Sequence, residues 1–255
     1  MALDFTGKIV LVTGGGNGIG IRYCKAIAGE GSAVVVAELD GKAAVRVADE
    51  ICEDGGKAIA IQTDVSDSNS VANMVDQTVR ELGKVDILVN NAAIFATIPI
   101  SRVGIEELSE EEWDAVYRVN MKGMFLVSKA VVPHMKKQRY GKIVNIGSSS
   151  MLDGAGGRIH YTSAKAAVVG FTRVLAHELG DYNVCVNTLS PGSTLSEANP
   201  TPEIIKMREA ASKGRVIKRI QTPEDLIGPM LFLLSPDSDF MTGQLLVADG
   251  GSKFY

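Results

Sequence analysis

Short apolar runs rich in β-branched residues alternate along the chain with longer segments of helical periodicity. The runs "IVLV", "AVVVA", "DILVN" and "KIVNI" are unbroken rather than alternating. A strand with one wet face carries a polar residue at every second position. Unbroken runs therefore mark strands covered on both faces, as in parallel sheets. The pattern predicts strands at 8–12, 33–38, 58–62, 86–90, 142–146, 184–189 and 244–247. It predicts helices near 18–29, 41–54, 67–82, 109–138, 161–180 and 222–235. Strand–helix–strand alternation builds βαβ units and hence a doubly wound α/β fold. No internal repeat or low-complexity tract interrupts it, and 255 residues suit a single domain with a substantial core.

Two helix starts are written locally. Ser109 with Glu112 three residues on predicts a capping box, with the acidic run "EELSEEEWD" at the positive end of the helix dipole. Thr222-Pro223-Glu224-Asp225 combines an N-cap, a first-turn proline and an acidic N3, and opens the last long helix. The one long irregular segment, 191–221, contains Pro191, Pro200 and Pro202 and a short amphipathic piece near 203–212. A connection of that length is expected to be a substrate-binding loop or lid.

Composition narrows the function classes. Hydrophobic residues make up 45% and charged residues 22% of the chain, as in ordinary globular proteins. A net charge of −4 offers no electrostatic footprint for nucleic acid, and no basic amphipathic segment points to a membrane surface. Cys24, Cys52 and Cys185 are an odd number without CxxC spacing. That argues against disulfides and structural zinc and for free thiols in the cytoplasm, with no metal site expected. The apolar run near Met1 is too short for a secretory signal and leads straight into a glycine loop.

That loop, Thr13-Gly14-Gly15-Gly16-Asn17-Gly18-Ile19-Gly20, falls between the first strand and the first helix. Glycines there let backbone amides approach a pyrophosphate, and a helix opening near Ile19 faces it with partial positive charge. The spacing is GxxxGxG, not the commoner GxGxxG, so its place in a βα turn carries the argument. Gly14, Asn17, Gly18, Ile19 and Gly20 are the expected contacts. The second strand ends "VVVAELD", with Glu38 eighteen residues after Gly20. A carboxylate there accepts from both ribose hydroxyls of an adenosine and repels a 2′-phosphate. No Arg follows it, and Asn17 stands where a basic residue would meet that phosphate. The expected cofactor is NAD, with Leu39 beside Glu38 and Asp40 as the competing ribose ligand. Asp64 and Val65, in "TDV" at the end of the third strand, are expected near the adenine; a turn or cap role is the alternative for Asp64.

Further motifs follow in order: "NNAA" at 90–93, "VNMKG" at 119–123, "NIGSS" at 145–149, "YTSAK" at 161–165 and "SPGS" at 190–193. With "TGGGNGIG" before them, the chain resembles the classical short-chain dehydrogenase/reductase family from Phe5 to Gly251. The resemblance implies a single-domain Rossmann-like fold, a seven-stranded parallel sheet with helices on both faces, a homotetramer and a small-molecule substrate. It implies Tyr161 as general acid/base with Lys165 as its helper, both touching the cofactor, and Ser148, thirteen residues before the Tyr, as the substrate-orienting hydroxyl. Asn120 matches the Asn that holds a water linking the Lys to solvent. Asn91 matches an adenosine-ribose contact, and Thr194, third after Pro191, matches the contact to the nicotinamide amide, with Pro191 and Gly192 as cofactor contacts beside it. Gly147 stands where a first Ser is more usual, and Ser196 where "PGxxxT" ends in Thr.

The chemistry explains the residue types. Hydride passes between a carbinol carbon and nicotinamide C4, so the protein must place two carbons and move one proton. A phenol titrates near 10 and must be lowered to act as a base; an ammonium four residues on lies on the same helical face and has the right sign. Ser148 would hold the substrate oxygen and stabilise its developing charge. His160 faces away from Tyr161 by ~100° and reads as a supporting or surface residue; His134 and His177 read as solvated. Ala164, Ala167, Val168, Phe171, Val174 and Leu175 read mainly as core, with a subunit interface as part of the explanation. The pocket is expected from Ile94 and Phe95, the segment 149–158 and the lid. Ile94, Phe95, Met151, Leu152 and Leu195 form its apolar wall, Asp153, Arg158 and His160 are available to polar groups, and "FATIPISRVGIEEL" shapes its rim. The expected reaction is NAD-dependent interconversion of a secondary alcohol and a ketone, on a moderately hydrophobic alcohol or cyclic diol. The alternatives are a silent NAD-binding sensor or scaffold, which would lack one of Tyr161, Lys165 and Ser148, and a carbon–carbon double-bond reductase, which usually spaces Tyr and Lys more widely.

Overall fold

Parallel strands β1 (Ile9–Thr13), β2 (Ala33–Glu38), β3 (Lys57–Gln62), β4 (Ile87–Asn90), β5 (Gly141–Ile146), β6 (Val184–Pro191) and β7 (Leu245–Ala248) form one sheet in the order β3-β2-β1-β4-β5-β6-β7. The computed structural model describes residues 4–95, 98–154 and 156–254. Ala96 and Thr97 of the expected rim, and Ala155 of the expected pocket segment, lie outside the described residues. The helices are α1 (Gly18–Gly29), α2 (Gly41–Glu53), α3 (Ser68–Leu82), α4 (Glu110–Tyr117), α5 (Met124–Gln138), α6 (Ile159–Leu179), α7 (Pro202–Lys213) and α8 (Ile227–Leu234). The expected seven-stranded, Rossmann-like architecture is the one observed.

The unbroken apolar runs have the anticipated cause. On β1, Val10 and Val12 pack on one side with Tyr23 and Ile27 of α1, Val47 of α2 and Leu234 of α8. Ile9 and Leu11 pack on the other side with Met74 of α3, Val131 of α5 and Leu179 of α6. Each such side chain contributes ~1.5–3 kcal/mol on burial, so both faces of the strand are selected for apolar residues. Strand order reverses between β1 and β4, and the crevice at their carboxyl ends is where ligands sit in such sheets.

Local expectations fail at identifiable places. The predicted helix 109–138 is interrupted by a π-helical turn at Arg118–Gly123, where the Asn120 side chain is drawn off to the backbone of Ile94. Ser109 caps α4 through the Glu112 amide, but the Glu112 carboxylate does not close the box. Its Oε1 instead accepts from the Ser101 amide at 2.6 Å and faces His160 Nε2 at 3.2 Å. The capping box at Thr222 and Asp225 does form, on a 3-10 turn that leads into α8. On α6, Ala164 and Val168 are core, while Ala167 and Val174 are exposed. His160 is buried, His134 half-buried and only His177 exposed.

Candidate active site

The glycine loop is built by conformation and close approach. Gly14 and Gly18 have φ of +64° and +54°, the left-handed region in which a β-carbon is strained. Thr13 Oγ1 accepts from the amides of Asn91 and Ala92, and Asn91 Nδ2 donates to Thr13 O at 3.1 Å and Gly14 O at 2.9 Å. Asn91 thus clamps the loop from the end of β4. Glu38, at the end of β2, accepts from the Gly16 amide through Oε2 and the Leu39 amide through Oε1. A carboxylate has about four acceptor sites, so two remain for a ligand's donors. Asp40 is engaged elsewhere: it caps α2 by accepting from the amides of Lys42 and Ala43. Asp64 Oδ1 closes a turn through the amide and hydroxyl of Ser66. Arg46, which sequence reasoning passed over, donates to Gly16 O at 2.9 Å and also holds the loop.

At the other end of the crevice, β5 delivers Ser148 and α6 delivers Tyr161 and Lys165. The Ser148 hydroxyl hydrogen-bonds Tyr161 and lies 2.9 Å from Ser150 Oγ. Phe95 stacks on the Tyr161 ring at 4.4 Å between centroids. Lys165 Nζ donates to Ile146 O at 2.7 Å, and it lies 5.9 Å from the Tyr161 ring centroid. Asn120 Oδ1 accepts from the Ile94 amide and its Nδ2 donates to Ile94 O, which fixes the strand-end segment facing Tyr161.

Electrostatics depart from the simple expectation for the pair. Burial raises the Tyr161 phenol, against smaller lowering effects of the Ser148 hydrogen bond and the Arg158 charge. Burial also pulls the Lys165 ammonium down to about 8. The dominant influence on both groups is thus removal from water, which disfavours both charged forms. An excess of stability at higher pH follows for Lys165. Between about pH 8 and the ordinary lysine value near 10 the unfolded chain binds more protons, so the folded state gains stability as pH rises through that window. Replacing Lys165 by Met removes this gain. The melting-temperature advantage of wild type over Lys165→Met is expected to grow from pH 7 to pH 9.5, and a flat difference in thermal melts would contradict it.

Beneath the site runs a buried polar chain that sequence reasoning did not assemble. Asn90 Nδ2 donates to Asn145 Oδ1 and Ser128 Oγ, Asn145 Nδ2 donates to Thr172 Oγ1, and Thr172 meets Thr188 at 2.8 Å. It locks α6, and with it Tyr161 and Lys165, against β4, β5 and β6; an unmatched member would cost ~1–3 kcal/mol. Gly147 has a packing cause, since a β-carbon there would fall 2.3 Å from Ser190 Oγ.

One cleft of about 590 Å³ joins the two ends. Gly14, Asn17, Gly18, Ile19, Glu38, Leu39, Asp64, Val65 and Asn91 line one half; Ser148, Tyr161, Lys165, Pro191, Gly192 and Thr194 line the other. Gly20 and Asn120 support it from behind: Gly20 abuts Gly14, and Asn120 is buried. Of the expected apolar wall, Ile94 and Phe95 line the cleft, while Met151, Leu152 and Leu195 do not; Ile98, Met207, Ala210 and Ala211 stand there instead. Asp153 and Arg158 line it and His160 does not. The difference arises because α7 folds back over the crevice with its own side chains.

A glycine-cradled loop, a β2 carboxylate and a group of buried Tyr161 and Lys165 with half-buried Ser148 in one cleft accord with what a family profile finds: the profile described as short chain dehydrogenase matches residues 8–203. The chain belongs to this family. It is 36% identical over 250 residues to the (2S)-[(R)-hydroxy(phenyl)methyl]succinyl-CoA dehydrogenase subunit BbsD of Thauera aromatica, covering 97% of each chain. It is 34% identical to the cyclopentanol dehydrogenase of Comamonas testosteroni, covering 96% of each. The structure of an NAD+-bound xylitol dehydrogenase superposes with a TM-score of 0.88 at 30% identity, covering 97% of this chain and 99% of that one. This short-chain dehydrogenase is accordingly an oxidoreductase. Among its described residues, no helix is long and apolar enough to cross a membrane.

Proposed function

We propose that this short-chain dehydrogenase interconverts a secondary alcohol and a ketone with NAD as cofactor. The observation that carries the reading is that Ser148, Tyr161 and Lys165 open into the same cleft as the glycine loop and Glu38. The loop fits a dinucleotide: its Gly16 side is closed by Glu38, and its Gly14 and Gly20 positions leave room for no side chain. When bound there, NAD supplies a hydride acceptor at the nicotinamide. Glu38 receives the adenosine ribose and disfavours a 2′-phosphate; Asn17, Gly18 and Ile19 present amides to the pyrophosphate; Thr194 meets the carboxamide.

Tyr161 moves the proton. Its raised phenol stays protonated at neutral pH, the form needed to donate to a ketone oxygen in the reductive direction. In oxidation the phenol must lose that proton, and Ser148 and Arg158 already favour the anion. Ser148 holds the reacting oxygen against the phenol. Lys165 orients the ribose and, with Asn120 behind it, relays protons toward solvent. The segment 191–221 acts as the lid. Ile94, Phe95, Ile98 and Met207 favour a moderately hydrophobic alcohol, cyclic diols included.

Exposed Phe125 on α5 and Val174 on α6 support association of copies, with a homotetramer as the family pattern. The free thiols Cys24, Cys52 and Cys185 support a cytoplasmic setting. The test is reduction of NAD and of NADP against a panel of sugars, hydroxy acids, steroids, terpenols and aryl carbinols. NAD is expected to be preferred by about tenfold or more, as one charge repulsion at Glu38 implies. No turnover of any member with either cofactor would overturn the reading.

A further inference from the structure

The substrate half of the cleft is more positive than a neutral alcohol requires. Arg102, from the segment after β4, Arg158, at the start of α6, and Arg208, on α7, all line it together with Tyr161. Arg208 is buried and spends its guanidinium on Glu197 Oε1 at 2.7 Å and Ser193 Oγ at 2.9 Å, while its Nε has no partner among the described residues. Lys253 at the same wall is matched by Asp153 at 3.1 Å. Among the described residues, Arg102 and Arg158 have no carboxylate partner, and the Arg102 guanidinium hydrogen-bonds Met207 Sδ at 3.6 Å. Like charges in a partly desolvated crevice repel; Arg102 loses proton affinity first to burial and then to the charges of Arg158 and Arg208. Such an arrangement is stabilised by an anion that Arg102 and Arg158 can receive.

We infer that the alcohol this enzyme acts on carries an anionic group, a carboxylate or the phosphate of a thioester carrier, received by Arg102 and Arg158 while its carbinol rests on Tyr161 and Ser148. This rests on the dehydrogenase reading above and adds the substrate class. Arg208, held by Glu197 and Ser193, forms the fixed back of the anion site. Arg102, exposed and weakly tied, is its adjustable member. The apolar residues Phe95 and Ile98 then cover the body between the two polar ends.

The probes are 3-hydroxy-3-phenylpropanoate, its coenzyme A thioester and its neutral methyl ester, with both kinetics and thermal shift measured in the presence of NADH or NAD. At least one anionic probe is expected to exceed the ester about tenfold or more in kcat/KM, the range of a charge-assisted hydrogen bond. The preference should shrink with added salt. Arg102→Gln should lose most of it through KM, lowering the anions about tenfold more than the ester. Free acid alone, or thioester alone, identifies the source of the anion. Ester turned over as well as both anions, or Arg102→Gln lowering ester and anions equally, overturns the anion site and leaves the dehydrogenase reading standing. Anion-specific thermal shift without turnover of these probes upholds the site, and the dehydrogenase reading then falls only if the alcohol panel is silent as well. Neither shift nor turnover with any probe overturns the anion site and leaves the dehydrogenase reading to that panel.

Discussion

Tyr161→Phe is expected to bind NADH as wild type does and to lose turnover by about 10²–10⁴-fold, the usual contribution of a positioned general acid or base. The variant isolates one atom. The ring that stacks on Phe95 at 4.4 Å is retained, so the wall of the cleft and the packing of α6 stay in place. What is lost is the phenolic proton and its hydrogen bond with Ser148. Burial already works against the charged phenolate, so no exposed group can take over at that position. Titrating NADH fluorescence separates binding from chemistry, and wild-type-like turnover in this variant would remove Tyr161 from the mechanism.

Gly20→Ala is expected to abolish cofactor binding, raising the NADH dissociation constant about 100-fold or more, and to lower the melting temperature by several degrees. A β-carbon at Gly20 would fall 2.0 Å from Gly14 O and 2.9 Å from Asn91 Nδ2. Both are parts of the clamp that joins β1 to β4, so the loop itself must move. Overpacking of this kind costs ~1–3 kcal/mol, which is ~2–4 °C per kcal/mol in a chain of this size. The displaced backbone is the one proposed to present its amides to the pyrophosphate. Fluorescence titration and a thermal melt check both halves. Unchanged binding would show that the phosphates lie elsewhere.

The sheet was legible from sequence because burial on two faces leaves a pattern that no loop and few helices imitate. All seven strands lie within a residue or two of their predicted positions. The glycine loop and Glu38 were legible because their chemistry depends on local spacing along one βα unit. Other features depend on which chain segments meet. Glu112 has the sequence of a capping box, yet Ser101 and His160 offer its carboxylate better-placed partners, and the box stays open. The polar chain from Asn90 to Thr188 joins β4, β5, α6 and β6, and none of its members is unusual by itself. Asp40 and Glu38 were rivals in sequence, and the end of β2 separates them, one at a helix cap and one at the loop.

Sequence by itself determined the α/β class through its periodicity, and the ordered family motifs named the glycine loop and Tyr161, Lys165 and Ser148 as the candidate site. Tertiary structure decided what surrounds that set. It sank Tyr161 and Lys165 away from water, which reversed the expected influence on the phenol. It also gathered Arg102, Arg158 and Arg208 from three distant segments into one wall of the cleft. Burial and convergence are properties of the packed chain, because solvent exclusion and charge–charge distance exist only once the helices have closed over the sheet.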